Sequence, residues 1–116
     1  MNSQEQVNFS KYGKSFQEGL AALILEDRGF SDQIQEVLQT EYFELKYLQV
    51  FVDKIFNYKR TYNVHPTPKI LTTIVRTELE DETDAVKKQT RDYFARIYNT
   101  EVKDAEFIKS TSLDFC

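Results

Sequence analysis

The chain contains one histidine and one cysteine, the residue types on which metal and nucleophilic chemistry most often depend. His65 lies between Val64 and Pro66, which predicts a loop position ahead of a helix, and Cys116 is the last residue. A zinc site of paired histidines needs a second histidine, and a cysteine–histidine nucleophile pair would have to use the chain end. These residues therefore predict neither a metal centre nor covalent catalysis.

Two short motifs could bind phosphate or a cation, but both fit helix capping better. Gly13-Lys14-Ser15 resembles the end of a P-loop, yet that motif needs a glycine where Asn8 stands. The acidic run at residues 80–84 lacks the alternating ligands and central glycine of an EF-hand loop. We expect Ser15 to cap a helix in a Ser-Phe-Gln-Glu box and Thr83 to cap another. The sequence thus predicts no catalytic, metal or cofactor residue in this chain.

Composition predicts one small helical domain. The chain has 116 residues with only 3 Gly and 2 Pro, too few turn residues for a sandwich or barrel. Its 9 Phe and 7 Tyr argue against disorder. The longest apolar run, residues 20–25, is too short to span a membrane, and the single cysteine predicts a cytoplasmic protein. A net charge of −4 argues against strong direct binding of nucleic acid.

Hydrophobic periodicity predicts an all-α fold, a small bundle of about six helices. Residues 1–14 show no sustained period and predict a flexible arm, whereas residues 15–116 form the single helical domain. The first helix is expected to end at Gly29 and the second to be capped by Ser31. Thr67-Pro68 marks the start of the fourth. The third has the clearest buried face, formed by Leu48, Phe51, Val52, Ile55, Tyr58 and Tyr62.

The last two helices are predicted to form a C-terminal helical hairpin, about residues 83–116, after a globular head at about residues 15–82. Their apolar residues occupy more than one face, so some are expected to pack inside and others to contact a neighbouring subunit. The last helix has no stop signal, so we expect a piece of a longer protein. The candidate interface residues are Tyr93, Phe94, Ile97, Tyr98, Phe107, Ile108 and Phe115.

Several landmarks follow the hydrophobic pattern of one known family. They are Phe16-Gln-Glu with the apolar run 20–25, Tyr42-Phe43 ahead of Tyr47-Leu48, Ile55-Phe56, Pro66-Thr67 before Ile70-Leu71, and residues 105–113. Across residues 15–116 the chain resembles the N-terminal domain of DnaB-type replicative DNA helicases, in particular the phage-encoded branch.

The resemblance implies a domain without catalytic residues. Such domains pair between subunits, build a collar above a hexameric ring and dock primase or a helicase loader. ATP and magnesium are then expected only in a RecA-type motor domain outside this chain, and the location is the cytoplasm of the bacterial host if the protein is phage-encoded. The alternative is a free-standing small helical adaptor or inhibitor that acts on the replication machinery. A DNA-binding domain that uses residues 68–79 as a recognition helix has too few basic residues.

Overall fold

The computed structural model describes residues 8–116, and it confirms the predicted all-helical class. Within these residues no strand occurs; a short 3-10 turn, Ser10–Tyr12, precedes the first helix, and another, Thr40–Tyr42, lies between the second and the third. No helix in this range is both long enough and apolar enough to cross a membrane. The six helices are α1 (Gly13–Glu26), α2 (Arg28–Gln35), α3 (Lys46–Tyr62), α4 (Pro68–Thr77), α5 (Asp84–Ile97) and α6 (Ala105–Phe115).

Two helix starts follow the predicted capping residues. The Thr67 hydroxyl accepts a hydrogen bond from the Ile70 amide at 3.1 Å, and Pro68 is the first residue of α4. The Thr83 hydroxyl accepts from the Val86 amide at 3.2 Å and caps α5. Both caps satisfy amides that have no partner inside their own helix, which explains why these two helix starts could be predicted from the sequence.

The first two helices are bounded differently from the prediction. Helix α1 begins at Gly13 rather than after a Ser15 cap, and the extended backbone of Asp27 ends it. The Asp27 carboxylate accepts from the Phe30 amide at 3.0 Å and so caps α2. Gly29 and Ser31, the expected end and cap, both lie inside α2. A carboxylate two residues before Gly29 can serve the amides of α2, so no glycine is needed between these helices.

The predicted arm is wrong for residues 8–14, while residues 1–7 lie outside the described part of the chain. Phe9 is completely buried, and its amide donates to the Tyr42 carbonyl at 2.7 Å. Its ring centroid lies 5.5 Å from that of Phe43 and 4.6 Å from that of Phe115. These partners are distant in sequence, so local periodicity does not reveal them.

Helix α3 is the centre of the bundle, as its sequence pattern predicts. Its buried face packs against α1 and α5, and its C-terminal half also contacts α4. Leu48, Phe51 and Ile55 are fully buried. Tyr62, at the end of the same stripe, is 63% exposed, so the predicted buried face does not extend to it.

The two closing helices do not form a hairpin that stands apart from the head. Helix α5 packs against α3 and α4, whereas α6 packs along α1. The Lys109 ammonium on α6 pairs with Asp27 at 2.8 Å, just beyond the end of α1. The buried faces of both helices are therefore covered by the other helices, so the predicted hairpin at about residues 83–116 does not stand apart from the predicted head.

We predict that Phe9→Ala lowers the free energy of unfolding by about 3–4 kcal/mol, because it removes a fully buried ring and leaves a cavity. Urea denaturation followed by circular dichroism measures the change. Lys11→Ala, an exposed position in the adjoining turn, is the control and should shift stability by less than about 0.5 kcal/mol. Equal stability of the Phe9 variant and the wild type would show that residues 8–14 are a dispensable arm.

Candidate protein-interaction surface

Glu18 on α1 accepts hydrogen bonds from residues of α3 and α5 and so connects three helices. Its backbone carbonyl accepts a hydrogen bond from the Tyr93 hydroxyl of α5 at 2.6 Å. Its carboxylate receives two hydrogen bonds from the Arg96 guanidinium, both at 3.0 Å, and one from the Tyr47 hydroxyl of α3 at 2.5 Å. A bidentate arginine–carboxylate pair with a third donor is among the strongest polar contacts in proteins.

These contacts shift the titration of the groups that make them. Burial alone would raise the pKa of Glu18, but the hydrogen bonds from Arg96 and Tyr47 outweigh it, so the pKa of Glu18 is lowered. Burial, followed by the hydrogen bond to Glu18, raises the pKa of Tyr47. Burial also raises the pKa of Tyr93. Glu18 is therefore a carboxylate at neutral pH, and both tyrosines remain hydroxyl donors.

Beside Glu18 lies an open cavity of about 770 Å³ between α1 and the segment that connects α5 to α6; we call it the α1–α6 groove. Its apolar walls come from Tyr12, Phe16, Gly19, Ala22, Ile97, Val102, Phe107 and Ile108. The Phe107 side chain stands at its margin and is 63% exposed. An exposed aromatic ring beside an apolar recess is the composition that protein interfaces favour.

Gly19 of α1 faces α6 inside the α1–α6 groove. A Cβ atom at position 19 would lie 2.9 Å from Cδ1 of Ile108 and 3.5 Å from Cγ1 of Val102. The glycine thus lets α6 approach α1 closely. Asp104, which precedes α6, has a left-handed backbone (φ 57°) and caps nothing with its side chain.

Three of the seven predicted interface residues lie in the core. Tyr93 is fully buried, and Phe94 and Ile108 are 4% and 6% exposed. The Tyr93 and Phe94 rings pack against Phe51 of α3, with centroids 5.0 and 5.6 Å from its own. These three residues mainly hold α5 and α6 to the rest of the bundle, and Phe94 and Ile108 reach the surface only as lining of grooves.

The other four candidates divide between two surfaces and the core. Phe107 and the partly buried Ile97 line the α1–α6 groove. Tyr98, 41% exposed, lies in a separate groove between α4 and α5. Phe115 is partly buried against Phe9. The structure therefore brings together only part of the predicted set.

The sequence interpretation missed the α1 side of the groove. Tyr12 and Phe16 stack with ring centroids 4.7 Å apart, and Val102 closes the far wall. The i, i+4 spacing of Tyr12 and Phe16 would have indicated a shared helical face. Treating residues 1–14 as an arm hid that spacing.

His65 has a structural contact in the loop between α3 and α4. Its Nε2 lies 2.6 Å from the Leu25 carbonyl, and because a carbonyl only accepts, Nε2 carries the proton and donates. Nδ1 is buried and has no hydrogen-bond partner among the described residues. Burial lowers the pKa of His65. In residues 8–116, no three His, Cys, Asp or Glu side chains gather where they could hold a metal ion.

Comparison with known proteins assigns no family. The chain matches no protein-family model, no curated protein and no solved structure. Function has to be inferred from the residues and their geometry, and the likeness to helicase N-terminal domains stays a prediction from hydrophobic pattern.

We predict that Glu18→Gln lowers the free energy of unfolding at pH 7 by about 1–2 kcal/mol, a modest value because the Arg96 side chain is 55% exposed to screening solvent. The folded-state pKa of Glu18 is lowered, so its stabilisation is complete above the ordinary glutamate pKa and is lost as pH falls through the folded value.

Denaturation at a series of pH values measures this effect. The difference between wild type and Glu18→Gln should shrink as the solution is made acidic. Glu41→Gln, at an exposed glutamate, is the matched control and should show little difference at any pH. A difference for Glu18→Gln that stays constant into strong acid would contradict a role for the carboxylate charge.

Proposed function

We propose that this chain is a non-catalytic interaction domain of a replicative DNA helicase, which joins copies of itself into a collar and docks primase or a helicase loader. The observation that carries the proposal is the 63% exposed Phe107 ring at the margin of the apolar α1–α6 groove. The hydrophobic-pattern resemblance supports the choice of helicase, and the all-helical fold agrees with it.

We assign self-association to the α1–α6 groove, which would hold part of a second copy of the chain. The surface offers a protruding aromatic side chain and an apolar recess next to each other. A twofold axis can place Phe107 of each copy in the recess of the other, which is the arrangement of an isologous dimer. Aromatic anchors that fill apolar pockets commonly dominate such interfaces.

Self-association is assigned to this groove because Phe107 is exposed there. The inner faces of α5 and α6 pack on the other helices and could pair with a second copy only by unpacking. Docking of a primase or loader would use surfaces that a dimer leaves free. The free-standing adaptor remains the alternative, and it would place a different protein in the same groove.

We predict that the wild-type chain associates and that Phe107→Glu weakens association at least about thirtyfold, because a carboxylate would have to be buried in an apolar recess. Sedimentation equilibrium over a wide concentration range measures the mass relative to the 13.7 kDa monomer. Tyr62→Glu is the matched control, since Tyr62 is also 63% exposed but lies outside the groove. Circular dichroism should be unchanged in both variants.

A wild-type chain that stays monomeric at the highest concentrations would contradict self-association and favour the adaptor. Equal weakening by Tyr62→Glu and Phe107→Glu would show that the groove is not the contact. The helicase assignment has a separate test: the reading frame beyond Cys116 should encode a motor domain with a P-loop. A stop codon directly after Cys116 would contradict it.

A further inference from the structure

A second groove, of about 430 Å³, lies between α4 and α5; we call it the α4–α5 groove. Its floor contains the buried residues Val75 and Phe94, and Tyr98 forms an exposed aromatic wall. The Tyr98 ring packs on Phe94 with a centroid distance of 5.4 Å, so the wall is supported from inside the domain. A volume of this size falls in the range of sites that accept a side chain or small ligand.

Two arginines border the α4–α5 groove. Arg91 donates from Nε to the Val75 carbonyl at 3.0 Å and from Nη2 to the Arg76 carbonyl at 3.1 Å. These bonds satisfy carbonyls at the C-terminal end of α4, a structural role that uses two of the five N–H groups of the guanidinium. Three donors of Arg91 remain, and the exposed Arg76 side chain donates to no group in residues 8–116.

Neither arginine is paired with a carboxylate in the part of the chain that the structure describes. The ion pairs there use Arg28, Lys59, Lys87, Lys88, Arg96 and Lys109 instead. The lining of the α4–α5 groove contains these two arginines and no acidic residue, although the whole chain has 19 acidic against 15 basic residues. Positive charge beside an apolar recess is complementary to a ligand that carries an apolar group flanked by negative charge.

We propose that the α4–α5 groove binds an acidic peptide segment of a partner protein. An apolar side chain of the peptide enters between Val75, Phe94 and Tyr98, and its neighbouring carboxylates pair with Arg76 and Arg91. Guanidinium groups suit this task because they bind carboxylates with two parallel hydrogen bonds.

The apolar floor and the small number of cations distinguish this ligand from a nucleic acid. Binding of a phosphate backbone needs several cations along a track, whereas this groove has two, in a chain of net charge −4. The inference is independent of self-association through the α1–α6 groove, because the two grooves share no lining residue.

The test is fluorescence anisotropy with a labelled peptide that carries one phenylalanine between two pairs of aspartates. The full chain should bind it saturably, and binding should weaken with added salt. Arg76→Glu should weaken binding about tenfold or more, since it replaces attraction by repulsion at a side chain that the fold does not use. Tyr98→Ala should weaken it by a similar factor through loss of the aromatic wall.

Arg60→Glu is the matched control: it makes the same charge change at another exposed arginine, on α3, and should alter affinity by less than about twofold. Two further peptides separate the contribution of negative charge from that of the apolar side chain. One has lysines in place of the aspartates, and the other has serine in place of the phenylalanine. Neither should bind detectably at concentrations where the first peptide saturates.

Four outcomes would overturn the proposal. These are no saturable binding of the acidic peptide, equal loss in Arg60→Glu and Arg76→Glu, preferential binding of a single-stranded oligonucleotide, and a change in sedimentation with Arg76→Glu alone, which would identify a second copy as the occupant. These outcomes do not change the interpretation of the Phe107→Glu experiment. The result of that experiment likewise does not bear on peptide binding in the α4–α5 groove.

Discussion

The position of α5 depends on the contacts of Glu18. One residue of α1 accepts hydrogen bonds from Tyr93 and Arg96 of α5 through both its carbonyl and its carboxylate, and from Tyr47 of α3 through the carboxylate. The Glu18 side chain is only 15% exposed, so its carboxylate would have a large desolvation cost without partners. The hydrogen bonds from Arg96 and Tyr47 together offset that cost. The segment that leaves α5 and the start of α6 lie beside α1, and together they line the α1–α6 groove.

Much of the fold could be predicted from sequence because it is local. The caps Thr67 and Thr83 and the stripe of α3 act within a few residues of themselves; both caps are confirmed, and so is the stripe from Leu48 to Ile55. The burial of Phe9 could not be predicted, because its partners at positions 42 and 115 meet it only in the folded chain. Spacing along the chain determines which residues share a face, but tertiary packing decides what covers it.

The candidate site illustrates the same limit. The aromatic content of the last two helices predicts more apolar residues than one core face needs, and the structure leaves Phe107 and Tyr98 exposed. Periodicity alone could not separate them from Tyr93 and Phe94, which occupy neighbouring positions and are buried. The end of α5 contributes to both grooves: Ile97, its last residue, lines one, and Tyr98, which follows it, lines the other. Adjacent positions in the chain thereby contribute to two chemically different surfaces.

The close approach of α6 to Gly19 couples two positions that are far apart in sequence. A methyl group at position 19 would press on Cδ1 of Ile108, which would have to rotate away or be replaced by a shorter side chain. The effect of a substitution at position 19 therefore depends on the side chain at position 108. A larger residue on α1 would fit where valine or alanine has taken the place of the isoleucine on α6.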